Sequence, residues 1–221
     1  MKRFLRDNSL ALAAFLLFAL FFFGQSVTGH REYNADQAAH HEAELSYGRY
    51  LRTGAFFEAT FENWESEFLQ MGGYVLLTAW LFQKGSPESR PLEGSAPQDE
   101  DPKTKAGDLD VPWAVRRGGV ALAIYRHSLS IAFIALFFGS WLGHAAGGSR
   151  EYSAEQRAHG QPPVTMAEYM RTSRFWFESF QNWQSEFLAV GSIVVLSIFL
   201  REQRSPESKP VAAPHRETAA A

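Results

Sequence analysis

Residues 9–27 read SLALAAFLLFALFFFGQSV, and residues 128–146 read SLSIAFIALFFGSWLGHAA. No Asp, Glu, Lys or Arg falls between Asn8 and Gly29, or between His127 and Ser149. At about 1.5 Å of rise per residue, each stretch is long enough as a helix to cross a hydrocarbon core of ~30 Å. The first run, after Met1-Lys2-Arg3, could also be the core of a signal peptide. It is long for that role and no A-x-A cleavage pattern follows it. Its counterpart also lies mid-chain, so both are read as membrane helices.

The two runs belong to a longer repeat. With a shift of 119 residues, Leu5–Pro91 lies on Ile124–Pro210 without a gap, with 34 identities in 87 positions. Arg31-Glu32-Tyr33 recurs as Arg150-Glu151-Tyr152, and Ser86-Pro87-Glu88-Ser89 as Ser205-Pro206-Glu207-Ser208. The longest shared core is Phe61-x-Asn63-Trp64-x-Ser66-Glu67-Phe68-Leu69, repeated as Phe180-x-Asn182-Trp183-x-Ser185-Glu186-Phe187-Leu188.

Each copy holds a second, shorter apolar segment, at Phe68–Gln83 and Phe187–Leu200. To reach the ~20 residues a span needs, these helices must begin near Asn63 and Gln181. The fold class expected is therefore an all-α membrane protein. Its four transmembrane helices, at about 9–27, 63–83, 128–146 and 182–200, come from tandem duplication of a two-helix unit. Residues 1–91 form the first two-span repeat and 92–123 a cytoplasmic linker with an interfacial segment around Trp113. Residues 124–210 form the second repeat and 211–221 a disordered tail. Lys and Arg concentrate in the N-terminus, the central connection and the tail. The positive-inside rule then puts both termini in the cytoplasm.

The outer loops carry local signals. Asn34-x-x-Gln37 and Ser153-x-x-Gln156 have the spacing of capping boxes and predict a short helix starting at each; Thr165-x-x-Glu168 predicts another. Arg31-Glu32-Tyr33 and its copy predict a salt-bridged turn at the exit of the first span. Phe57, Phe61, Trp64 and Phe68, and equally Trp176, Phe180, Trp183 and Phe187, fall on one helical face. They predict a continuous amphipathic helix running into the second span.

Composition narrows the function. The chain has 221 residues, a net charge of -3 and no cysteine. Thiol chemistry and Cys-ligated metal sites are excluded, and nucleic-acid binding has no electrostatic support. No phosphate loop, dinucleotide fingerprint, H-E-x-x-H or G-x-S-x-G motif is present. No catalytic residue, cofactor or metal site is expected, and the chain is not read as an enzyme. His40 and its counterpart His159, with His30, His41 and His144, are read as solvated loop residues.

The candidate site is a polar cluster in the outer part of the second spans: Asn63, Ser66 and Glu67 with Asn182, Ser185 and Glu186. An ionisable residue at that depth is costly and usually faces the bundle interior or water. One reading pairs Glu67 with Glu186 across a pseudo-two-fold axis as a cation or proton site. The other makes the motif an interface anchor, with Trp64, Trp183, Tyr33 and Tyr152 in the aromatic belts. Gly72 and Gly191, one turn deeper, would let a neighbouring helix approach closely.

The F-x-N-W-x-S-E-F-L core, the R-E-Y and the S-P-E-S resemble an uncharacterised bacterial domain-of-unknown-function family of small multi-pass membrane proteins. That resemblance implies a membrane location and no established activity. The function expected is a structural or interaction protein of the bacterial plasma membrane, with a small transporter or channel as the alternative. Its partners would be the lipid bilayer and either a second copy or another membrane protein.

Overall fold

The computed structural model describes residues 2–108 and 110–219, and every regular element among them is helical. A short α1 (Lys2–Asp7) precedes the long α2 (Ser9–Ala39), followed by α3 (Tyr47–Tyr50) and α4 (Gly54–Trp80). Two 3-10 turns, Pro97–Asp99 and Pro102–Lys105, lead to α5 (Trp113–Arg117) and α6 (Gly119–Tyr125). The chain then forms α7 (Ser128–Ala158), α8 (Met166–Tyr169) and α9 (Ser173–Phe199). The helices α2, α3 and α4 thus begin 119 residues before α7, α8 and α9.

Among the described residues, three helices are long and apolar enough to cross a membrane: α2, α7 and α9. Their apolar side chains point outward. Leu10 is 83% exposed and Phe15 73%, while the best window of α2 has a mean hydropathy of 2.2. An apolar surface of this extent is stable in hydrocarbon, where the helix satisfies its own backbone polar groups. The helix α4 is 27 residues long, as is α9, but is not among the three. Glu58, Glu62, Glu65 and Glu67 all lie on it.

Two expectations are corrected at the ends of the long helices. No new helix starts at Asn34 or Ser153, and no turn forms at Arg31-Glu32-Tyr33. Instead α2 and α7 run unbroken through these positions. The capping-type side chains turn outward to hold the returning loop. Asn34 accepts from Leu45 N–H (2.9 Å) and donates to Leu45 C=O (2.9 Å). Ser153 Oγ does the same for Val164, at 3.0 and 3.1 Å. A polar side chain that can cap a helix serves equally well to receive a loop strand's backbone. The third signal does form a capping box. Thr165 Oγ accepts from Glu168 N–H (3.2 Å), and the Glu168 carboxylate accepts from Thr165 N–H (2.7 Å). The continuous helix expected through Phe57, Phe61, Trp64 and Phe68 is present as α4, ending at Trp80.

The chain divides into two compact units, Met1–Phe61 with Gly143–Thr172 and Glu62–Leu142 with Ser173–Ala221. Each draws residues from both copies of the repeat, so neither coincides with one repeat.

In the first unit, tyrosines of the short helices seat on glycines of the long ones. A Cβ on Gly29 would strike the Tyr50 hydroxyl, and one on Gly148 the Tyr169 hydroxyl. Gly143 and Gly147, four residues apart on α7, meet the start of α4. A Cβ on Gly147 would lie 2.5 Å from Glu58 N and 2.9 Å from Phe57 C. This is the close backbone approach that G-x-x-x-G spacing permits. In the second unit a Cβ on Gly72 would lie 3.1 Å from Phe133 Cβ, whereas Gly191 faces open space.

The two S-P-E-S segments form the same turn. Ser89 Oγ accepts from Gln83 N–H and Ser208 Oγ from Glu202 N–H, each at 2.9 Å. The C-terminal segment runs through turns to Ala219. Lys209 is 1% exposed, and its ammonium lies 2.6–3.2 Å from the carbonyls of Gly85, Pro214, His215 and Glu217.

Candidate functional site

The polar chemistry begins from helical spacing. Glu58, Glu62 and Glu65 are i, i+4 and i+7 on α4, and Ser179, Asn182, Trp183 and Glu186 are i, i+3, i+4 and i+7 on α9. Each set forms one helix face. Within the second unit these faces bond to each other. Glu65 is fully buried and accepts from the Ser179 hydroxyl (2.8 Å) and the Trp183 indole N–H (3.2 Å). The Asn182 amide donates to Glu62 Oε1 (2.5 Å), and the Gln70 amide to the Glu186 carbonyl (2.9 Å). Bonds to a carboxylate are stronger than neutral ones, and a buried carboxylate requires them.

The expected cluster is assembled only in part. Ser66 is buried and lies within hydrogen-bonding reach of the Glu186 carboxyl, and the charge of Glu67 is near enough to act on Glu186. Glu67 itself is exposed, as are Asn63 and Ser185. Ser66 and Ser185 each donate back to their own helices, to the Asn63 and Asn182 carbonyls at 2.8 Å. Trp64 is half-buried, as is Trp183, whose N–H is engaged on Glu65. Tyr33 and Tyr152 lean on Tyr50 and Tyr169, with ring centroids 5.6 and 5.8 Å apart.

The acids that accept across the contact, Glu62 and Glu65, were not in the expected cluster, whereas their donors Asn182 and Trp183 were among the expected residues. Glu62 and Glu65 stand where the second copy has Gln181 and Gln184. Attention to positions common to both copies passes over them. The available signal was the i, i+4, i+7 row of acids on α4.

The first unit has its own buried polar group. Glu58 is 8% exposed and accepts from the Tyr169 hydroxyl (2.9 Å). His144 is fully buried, with a ring nitrogen within 4.8 Å of a Glu58 carboxylate oxygen. His30 bonds the Leu45 carbonyl at 2.7 Å. Neither is the solvated loop residue expected; His40, His41 and His159 are exposed, and His40 and His159 each bond a carbonyl of their own helix. The Glu151 carboxylate accepts from Ala55 N–H (3.0 Å). It thereby caps the first turn of α4, where backbone donors lack partners and negative charge is favourable. Burial, with Tyr47 and Glu151 nearby, raises the Tyr50 phenol above its ordinary pKa.

A further group of charges follows α4. Burial raises the Glu88 carboxyl above the usual range; the hydrogen bond from the Tyr74 hydroxyl opposes this and the Glu207 carboxylate adds to it. Burial, and then Arg201, lower the Lys209 ammonium below its usual value.

Residues 1–220 match the model of a family described as a domain of unknown function (DUF6766). No curated protein and no solved structure matches the chain.

Proposed function

The chain belongs to that family, and we propose that it is a multi-pass protein of the bacterial plasma membrane whose role is structural or interactive. In this reading four spans arise from a tandem duplication, both termini are cytoplasmic, and Asn182 and Trp183 of the second Asn-Trp-x-Ser-Glu motif help to fasten helix to helix. The recurrence of α2, α3 and α4 as α7, α8 and α9 at one shift supports the duplication. So does the equivalence of the bonds that Asn34 and Ser153 accept from Leu45 and Val164 N–H, and that Ser89 and Ser208 accept from Gln83 and Glu202 N–H.

One observation carries the functional reading. Two of the three carboxylates of α4 within the second unit accept from donors of α9: Glu65 from Ser179 and Trp183, and Glu62 from Asn182. Groups so engaged hold helices together and are not displayed to a cargo. Polar side chains between helices in a membrane act as such fasteners.

The second reading is a small transporter or channel, favoured by the nearness of Glu67, Ser66 and Glu186. The absence of cysteine supplies the test. Single cysteines from Asn63 to Met71 would be labelled with membrane-impermeant thiol reagents from each side. The fastener predicts labelling that stops near Trp64. Labelling along one face to Glu67 and a turn beyond, with ion flux abolished by E67Q and E186Q, would replace it with the transporter.

A further inference from the structure

After the 3-10 turn Pro102–Lys105 the chain forms two short helices, α5 and α6, before the apolar α7. They break at Gly118 and Gly119, whose φ angles of 66° and 56° lie in the left-handed region that glycine enters freely. The helix α5 packs on α6 and on the 3-10 turn. Ala114, Val115 and Leu122 are buried and mark the inner side of each helix. The link to α7 is tight. Arg126 N–H donates to the Leu122 carbonyl (3.0 Å), and Ile131 N–H to the His127 carbonyl (2.9 Å). Only Arg126 and His127 separate α6 from α7, a gap of at most ~10 Å. The helix α6 therefore ends where a helix apolar enough to cross a membrane begins.

The outer sides carry aromatic, aliphatic and cationic groups together. Trp113, Arg116 and Arg117 are i, i+3 and i+4 on α5, and Val120 and Ile124 are i and i+4 on α6. All five are exposed, Trp113 by 60%, Val120 by 75% and Ile124 by 56%. The Arg117 guanidinium lies over the Trp113 ring at 5.2 Å. Neither Arg116 nor Arg117 has a carboxylate partner among the described residues. No Asp or Glu falls between Asp110 and Glu151. Arg126 differs, because it lines a cleft with Asp99, Glu100 and Asp101 and so faces acids of its own chain.

We propose that the exposed side of α5 and α6 is a docking surface for the headgroups of anionic phospholipids. Arg116 and Arg117 donate to phosphate, for which the planar guanidinium is suited. Trp113, Val120 and Ile124 enter the boundary between headgroups and acyl chains. Two observations select a lipid surface as the occupant. The surface is joined to the apolar α7 through two residues, which keeps it beside the membrane. Its unpaired charge is wholly positive, the complement of an anionic leaflet, where each basic residue gains about fivefold in binding. A zwitterionic surface would take the apolar side chains without that gain. The surface rests on the membrane reading above but not on the fastener.

The test uses the full chain in lipid nanodiscs. With no native cysteine, A123C gives a single spin-label site on the exposed side of α6, between Val120 and Ile124. Nitroxide spectra with a neutral nickel chelate in the water give the ratio of lipid-immersed to water-exposed label. From discs of phosphatidylcholine to discs one-third phosphatidylglycerol, that ratio should rise about 25-fold, about fivefold for each of two arginines. R116Q and R117Q should each lose about fivefold, and the double variant the whole rise. Raising salt from about 0.05 to about 0.5 M should remove most of the rise without any substitution, so the result survives a variant that fails to fold. Equal immersion in both lipids would overturn the proposal, as would a rise unaffected by salt and by both variants. A label reached by neither lipid nor chelate would mean that protein covers the surface, and would overturn it too. Alkaline extraction of native membranes separates the two claims. Release of the chain sinks the membrane reading, whereas a retained chain with its label in water sinks only the docking surface.

Discussion

Glu65 shows what a single buried charge does here. It is fully enclosed and receives two donors from the other long helix of its unit. Glu65→Gln keeps a carbonyl oxygen for Ser179 or Trp183 and should cost about 1 kcal/mol or less. Glu65→Leu leaves both donors buried without an acceptor and should cost about 2–4 kcal/mol. Unfolding of each variant in detergent checks this, with Trp183 fluorescence as a local reporter. Equal losses would mean that the carboxylate only fills space. The sequence shows that α4 carries an unusual number of acids for a membrane helix. It does not show which are buried, because Ser179 and Trp183 lie more than a hundred residues along the chain. Glu67, common to both copies and so the natural candidate, is exposed.

At the scale of elements, helix contacts are set by what the glycines allow. Gly147 meets backbone atoms of α4, which cannot rotate aside. Gly147→Ala should therefore separate α7 from the start of α4, at about 2 kcal/mol or more, since overpacking against backbone forces a shift. Gly139 lies on the same helix with nothing near its Cβ position, and Gly139→Ala should be neutral or stabilising by up to about 1 kcal/mol from helix propensity. Detergent unfolding midpoints measure both; two equal effects would remove the close approach as the explanation. The Gly143–Gly147 spacing was legible as a helix-contact motif, more so than Gly72 and Gly191, of which only Gly72 is used. The capping-box patterns at Asn34 and Ser153 misled because the same residue types satisfy a helix end or a passing loop. The pattern at Thr165 was read correctly because Pro162 and Pro163 precede it and no helix can arrive from behind.

For the whole molecule, the open quantity is the parity of the spans. Three helices qualify on length and apolarity alone, and α4 does not. If α4 crosses, it does so because Glu62 and Glu65 are taken up by α9, which lowers the cost of placing carboxylates beside hydrocarbon. Four crossings put the two ends on one side and three put them on opposite sides. A fluorescent protein that matures only in the cytoplasm, fused at the N-terminus and separately after Pro210, should be bright in both positions. A dark C-terminal fusion with a bright N-terminal one would mean an odd number of crossings. The sequence by itself determined the helical class, the long apolar helices and the 119-residue recurrence of elements, because helix periodicity, length and charge-free runs are local properties of a chain. Only the tertiary structure decided which acids are buried, which glycines are contacts and where α2 and α7 end. Each of those depends on a donor, a ring or a backbone segment brought from a distant part of the chain.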